Sequence, residues 1–142
     1  MRVFDTSAVL AALERRESPA RRELLGELRR AASGQGDWPA VSAVTVAEML
    51  RGAQSEADAV RLAAALAVMQ VLPVDEHTAR AAAALGAAAD ARSLRRAERP
   101  GIADALVAAT ALEAGVECVT CDGGFRAFPA SVRVVILPPA DA

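Results

Sequence analysis

Apolar residues in this chain occur either in short unbroken runs or in longer stretches where they recur every three or four positions. These are the signatures of buried strands and of amphipathic helices. Val3-Phe4 is the first short run, and Asp5-Thr6-Ser7 follows as a helix cap ahead of Ala8, Val9, Leu10 and Leu13 at helical spacing. Ser18-Pro19 supplies a second cap with proline at the first helical position, and Leu24, Leu25 and Leu28 mark a stripe that ends at Ser33-Gly34. Trp38 to Ala43 predicts a strand, and Thr45-Val46-Ala47-Glu48 then has the spacing of a capping box, opening a helix that Gly52 closes.

The alternation continues to the end of the chain. Ser55-Glu56-Ala57-Asp58 opens a helix carrying Val60, Leu62, Leu66 and Met69, and Met69 to Val74 predicts the next strand. Asp75 caps an alanine-rich helix to about Ser93, Ile102 to Leu112 is helical, Gly115 is a natural stop, and Val116 to Cys121 reads as a buried strand. Val132 to Leu137 makes one more strand before Pro138-Pro139 ends regular structure. Short strands separated by helices predict an α/β fold: a central, mostly parallel sheet of four to five strands with helices on both faces. The 142 residues suit one domain, 1–142, with an irregular tail over about 138–142. Ligand sites in such sheets lie outside the carboxyl ends of the strands.

Composition narrows the chemistry. With 54% hydrophobic and 24% charged residues, the chain has ample apolar surface to order a core. All 16 basic residues are Arg, so mechanisms that need a lysine Schiff base or a P-loop lysine are excluded. A net charge of −2 argues against binding nucleic acid through a bulk positive field, and 3% aromatic residues supply few base-stacking platforms. The start of the chain meets Asp5 at once and carries no export signal, so a cytoplasmic location is expected, and no apolar stretch reaches the ~20 residues of a spanning helix.

Four acids fall near strand ends. Asp5 follows the first strand, Glu48 lies in the first turn of the helix after the second, Asp122 follows Val116 to Cys121, and Asp104 opens the helix feeding that strand. Each has a plain structural use: Asp5 as a cap, Glu48 in the capping box with Thr45, Asp104 against the helix dipole, Asp122-Gly123 as a turn. Their convergence is what those uses leave unexplained. Two carboxylates ~4 Å apart repel by ~4 kcal/mol at an effective dielectric near 20. Helix caps, worth ~1 kcal/mol each, do not offset that, whereas a hard dication such as Mg²⁺ or Mn²⁺ does.

The segments Val3-Phe4-Asp5-Thr6-Ser7, Thr45-Val46-Ala47-Glu48-Met49-Leu50-Arg51-Gly52, Ile102 to Ala111 and Val119-Thr120-Cys121-Asp122-Gly123-Gly124-Phe125 resemble the motifs of PIN-domain ribonucleases, specifically the small VapC-type toxins. The resemblance covers nearly the whole chain. It implies a three-layer PIN-like fold and a metal-dependent endoribonuclease whose acidic cluster is Asp5, Glu48, Asp104 and Asp122. Asp5 and Asp104 would hold Mg²⁺ or Mn²⁺ most directly, Glu48 and Asp122 directly or through water, with the Thr6 and Thr120 hydroxyls orienting them. The fourth motif often carries a second acidic or amide residue two places on. Gly124 stands there in this chain, so Asp122 contributes alone. The resemblance also implies a homodimer and a cognate VapB-like antitoxin lying across the active-site groove.

An acidic site that cleaves an anion needs nearby cations to hold phosphates. Arg92, Arg95, Arg96 and Arg99 flank the Asp104 helix, with Arg15 and Arg16 next, and each is equally readable as part of a solvated helix face. Cys118 and Cys121 differ by an odd count along a strand and so point to opposite faces, which argues against a redox pair. His77, the one histidine, reads as a surface helix residue. Two competing functions remain. A metal-dependent phosphatase on a similar sheet lacks its second aspartate in Asp5-Thr6-Ser7, and a non-catalytic PIN-like binding module has Gly124 as its support.

Overall fold

The computed structural model of the chain describes residues 1–93 and 95–139, apart from the side chain of Arg96. The last three residues of the expected tail lie outside the described residues. The elements follow in the order β1 (Val3–Phe4), α1 (Thr6–Leu13), α2 (Pro19–Ala32), β2 (Ala40–Ser42), α3 (Ala43–Arg51), α4 (Glu56–Leu66), β3 (Gln70–Leu72), α5 (Glu76–Arg92), α6 (Ile102–Ala114), β4 (Cys118–Thr120) and β5 (Val134–Ile136). Two 3₁₀ turns, Arg96–Glu98 and Gly123–Ala127, lie before α6 and after β4. The strands form one sheet in the order β3-β2-β1-β4-β5, and every pairing is parallel. The α/β architecture expected from the pattern is therefore present.

The pleat explains the three layers. Val3, Ala40 and Cys118 point to one face and pack with Ala82, Leu85 and Ala89 of α5 and Val107, Ala108 and Ala111 of α6. Their neighbours Phe4, Val41 and Val119 point to the other face, against Val9 of α1, Leu24 of α2, Met49 of α3 and Leu62 of α4. Cys118 and Cys121 fall on opposite sides of the sheet, as their odd spacing predicts, and both thiols are free.

Local signals set most helix ends. The Ser18 side chain accepts the Arg21 N–H, and Asp75 and Thr78 form a reciprocal capping box. Gly115 ends α6 at φ 68°, a left-handed conformation that favours glycine. One expected end is corrected. The strand predicted over Trp38–Ala43 is only Ala40–Ser42, and α3 begins at Ala43 with Ser42, not Thr45, as its cap. Ser42 Oγ already accepts the Val44 N–H at 3.3 Å, so the helix starts earlier and Glu48 falls in its second turn, free of capping duty.

An ion pair beneath α2 is invisible in the hydrophobic pattern. Glu27 is 7% exposed and accepts a hydrogen bond from Arg2 Nε, while Arg2 Nη2 also donates to Glu23 Oε2 at 2.6 Å. Glu27 Oε2 has no hydrogen-bond partner among the described residues, so its charge depends on Arg2. Replacing Arg2 with Ala is expected to destabilise the fold by ~3 kcal/mol, because a buried charge is left without its counterion. The urea midpoint measures this, and pairing the change with Glu27→Leu should restore most of the loss.

Candidate active site

The sheet changes winding direction at β1: β2 and β3 extend to one side of it, β4 and β5 to the other. The crevice at such a switch point opens between the carboxyl ends of β1 and β4. Asp5 is the residue after β1, and Cys121-Asp122 follow β4.

Asp5 occupies the N-cap position of α1 without capping it. It is buried, and its Oδ2 accepts hydrogen bonds from Ser7 Oγ and Thr120 Oγ1, both at 2.8 Å. Each hydroxyl spends its proton on the carboxylate and its lone pair on the strand end. Ser7 Oγ accepts the Cys121 N–H, and Thr120 Oγ1 accepts the Asp122 N–H, both at 3.0 Å. The carboxylate after β1 is thereby indexed to the turn after β4. Burial pushes the Asp5 carboxyl up, opposed by the hydroxyls of Ser7 and Thr120 and the N–H groups of Thr6 and Ser7.

Glu48, exposed on α3, is held by Thr6, whose hydroxyl donates to Glu48 Oε1 at 2.7 Å and lies 3.1 Å from Thr45 Oγ1. Asp122 is exposed, and its Oδ1 accepts the Gly124 N–H at 2.8 Å. A Cβ at residue 124 would stand 3.1 Å from that oxygen, so the bare backbone of Gly124 lets the carboxylate fold into the turn. Asp104 sits in the first turn of α6 and is half-buried. Its carboxyl is pushed up to about 6, first by burial and then by the charges of Asp5, Asp122 and Glu48, against a hydrogen bond from the Gly101 backbone.

The four acids read from the sequence therefore share one electrostatic neighbourhood. Among the described residues, no three of them are drawn closely enough together to form a metal-ligating group. The donor set is nonetheless carboxylate and hydroxyl oxygen, the kind that Mg²⁺ and Mn²⁺ select. Burial and then the charges of Asp5, Asp122 and Glu48 raise Asp104, and a dication would relieve the second part, so the chemistry of the donor set fits the ion.

A cleft of about 560 Å³ opens beside them, lined by Asp104, Asp122, Arg92, Arg99 and Arg126 among others. Of the arginines read from the sequence, Arg92 also donates from Nη1 to the Phe128 carbonyl at 3.0 Å. Arg95, Arg15 and Arg16 are exposed and do not line this cleft, and the side chain of Arg96 lies outside the described residues. His77 is on the surface, 3.5 Å from Glu113. Sequence reasoning missed Ser7 and Arg126. Each adjoins a motif residue, but Ser7 shows its role only once β4 is brought beside β1.

The sequence profile of the PIN domain family matches residues 2–130. The chain belongs to the PIN domain family. Several solved structures resemble this PIN domain over nearly its full length. VapBC2 from Rickettsia felis, bound to a DNA fragment from its promoter, superposes with a TM-score of 0.76 at 16% identity, covering 96% of this chain and 98% of that one. VapBC-5 from Mycobacterium tuberculosis, a member of the VapBC family of toxin-antitoxin systems, gives 0.59 at 26% identity, covering 96% of each chain. VapC20 of the same organism, a Sarcin-Ricin loop cleaving toxin, gives 0.56 at 23% identity, covering 94% and 99%. No curated protein sequence matches the chain.

Proposed function

We propose that this PIN domain is the toxin of a toxin–antitoxin pair and an endoribonuclease that depends on Mg²⁺ or Mn²⁺. The observation that carries the reading is that Asp5 and Asp122 follow β1 and β4 at the switch point of the sheet, with Asp104 close enough for their charges, after burial, to push its carboxyl up to about 6. The toxin-antitoxin relative at 26% identity supports the biological role, and the neighbour described as a Sarcin-Ricin loop cleaving toxin agrees with a cleaving activity.

Asp5 and Asp104 would hold the ion directly, with Glu48 and Asp122 holding it directly or through water. When bound, the cation supplies Lewis acidity toward a phosphoryl oxygen and the positive charge that favours ionisation of an attacking water. Ser7 and Thr120 fix the orientation of Asp5 by donating to one oxygen. Thr6 does the same for Glu48, and Glu48 or Asp122 would orient the water. Asp122 is fixed in its turn by the Gly124 N–H, which donates to its Oδ1. The acidic pocket also suits an arginine from an antitoxin, which would neutralise the carboxylates and exclude substrate, and pairing with a second copy of the chain belongs to the same reading. Among the described residues no helix is long and apolar enough to cross a membrane.

The test is incubation of the purified chain with RNA in Mn²⁺ or Mg²⁺, and again with excess EDTA. Cleavage at internal positions should appear with metal and vanish with chelator. Cleavage that persists in EDTA overturns the metal-dependent mechanism. Turnover of a small phosphate ester but not RNA would favour a phosphatase, and no turnover at all would favour a binding module. A finer prediction concerns the hydroxyls. Thr120→Val removes a donor to Asp5 and an acceptor for the Asp122 N–H, and should weaken metal affinity ~10–100-fold with the fold intact. Mn²⁺ titration of activity reads this.

A further inference from the structure

The cleft beside Asp104 and Asp122 contains a guanidinium that the chemistry above does not use. Arg126 lies in the 3₁₀ turn Gly123–Ala127, is exposed, and lines the cleft with Arg92 and Arg99. Arg92 is tied to the Phe128 carbonyl, so part of its donor capacity is committed. Arg126 makes no ion pair among the described residues, although Asp122, four residues earlier, lines the same cleft. Its Nη1 lies 2.9 Å from where a Cβ on Gly123 would be, so the guanidinium folds back over the turn and would have to shift if residue 123 carried a side chain.

The placement has a chemical consequence. The acidic residues lining the cleft, Asp104, Asp122 and Glu98, repel a phosphodiester, and an RNA strand must be held over them by cations at fixed positions. Arg126 is carried on the turn that begins at Asp122, so its position is indexed to that carboxylate by four residues of chain. A planar guanidinium with several N–H donors takes two phosphate oxygens at once, which fixes register as well as charge.

We propose that Arg126 contacts a phosphate of the bound RNA next to the bond that is cleaved, holding the strand across the carboxylates. This rests on the RNA-cleaving reading above, and the experiment separates the two. Binding of a fluorescein-labelled single-stranded RNA is followed by anisotropy in EDTA over a salt series, for wild type, Arg126→Ala, Arg126→Lys, Gly123→Ala and Arg80→Ala. Arg80 is exposed on α5, about three turns before Arg92, and serves as the control for losing one surface charge. Cleavage kinetics with Mn²⁺ are measured on the same set.

Arg126→Ala should weaken RNA binding ~10-fold and lower the slope of log K against log salt by about 0.7, the value for one phosphate contact on a single strand. KM should rise ~10-fold while kcat changes less than ~3-fold. Arg126→Lys should keep the salt slope and recover part of the affinity, Gly123→Ala should move in the direction of Arg126→Ala by displacing the guanidinium, and Arg80→Ala should change neither readout. Wild-type affinity and slope in Arg126→Ala, or a loss confined to kcat and accompanied by a lower melting temperature, overturns the assignment. If wild type binds RNA without cleaving it, the nuclease reading fails while the binding series still decides Arg126. If wild type neither binds nor cleaves RNA, both fall.

Discussion

Replacing Asp104 with Asn is expected to abolish RNA cleavage, with a loss of at least ~10³-fold in rate, or about 4 kcal/mol of transition-state stabilisation. The same variant should be more stable than wild type in metal-free buffer near pH 8. The two effects share one cause. In the folded chain the Asp104 carboxyl is pushed up to about 6 from 3.8, so folding favours its protonated form. Stability from this group is fully present below the unfolded value and declines as pH rises from 3.8 through about 6. Above that window the carboxylate is held, at a cost, by its burial and by the charges of Asp5, Asp122 and Glu48. Asn keeps the shape and removes the charge. Because the group is only half-buried, solvent screening leaves ~1 kcal/mol of gain, or roughly 3 °C in melting temperature. Thermal denaturation in EDTA measures it, and an Asn variant that melts below wild type would show that the four acids do not strain the fold.

The second large effect is the dependence of activity on pH and metal together. A cation binds the ionised carboxylates, so protons compete with it. At sub-saturating Mn²⁺ the rate should fall steeply as pH drops through about 6, where Asp104 gains its proton. Raising Mn²⁺ should move that inflection to lower pH, because the bound ion stabilises the carboxylate form. Profiles of kcat/KM at two metal concentrations check this. An inflection that stays fixed as metal rises would assign the titration to a group remote from the ion.

Much of this site is legible in the sequence because position after a strand is a local property. Asp5 and Asp122 are marked by the apolar runs they follow, and Asp104 by the glycine and helical pattern around it. The topology then has only to bring three strand ends together, which the right-handed crossovers of a parallel sheet do. Glu48 shows how a local pattern misleads about a structural role. Thr45-x-x-Glu48 imitates a capping box, but Ser42 supplies the cap, and Glu48 instead bonds to Thr6, forty-two residues earlier. What pattern cannot show is pairing across the chain. Ser7 bonds to the Cys121 N–H, and Arg2 reaches under α2 to Glu27, a residue that any polarity scale places on the surface. Arg126 escaped notice for a different reason: the arginine cluster before Pro100 is conspicuous, whereas a lone arginine in a short turn is not.

The central claim is that Asp5, Glu48, Asp104 and Asp122 form one cation site. Mn²⁺ binding followed by electron paramagnetic resonance tests it without reference to any substrate. Wild type and Asp90→Asn, which alters an exposed carboxylate on α5, should bind Mn²⁺ alike, while Asp5→Asn and Asp104→Asn should each weaken binding ~100-fold or more with the fold retained. Mn²⁺ affinity unchanged by either of those two substitutions would contradict the account.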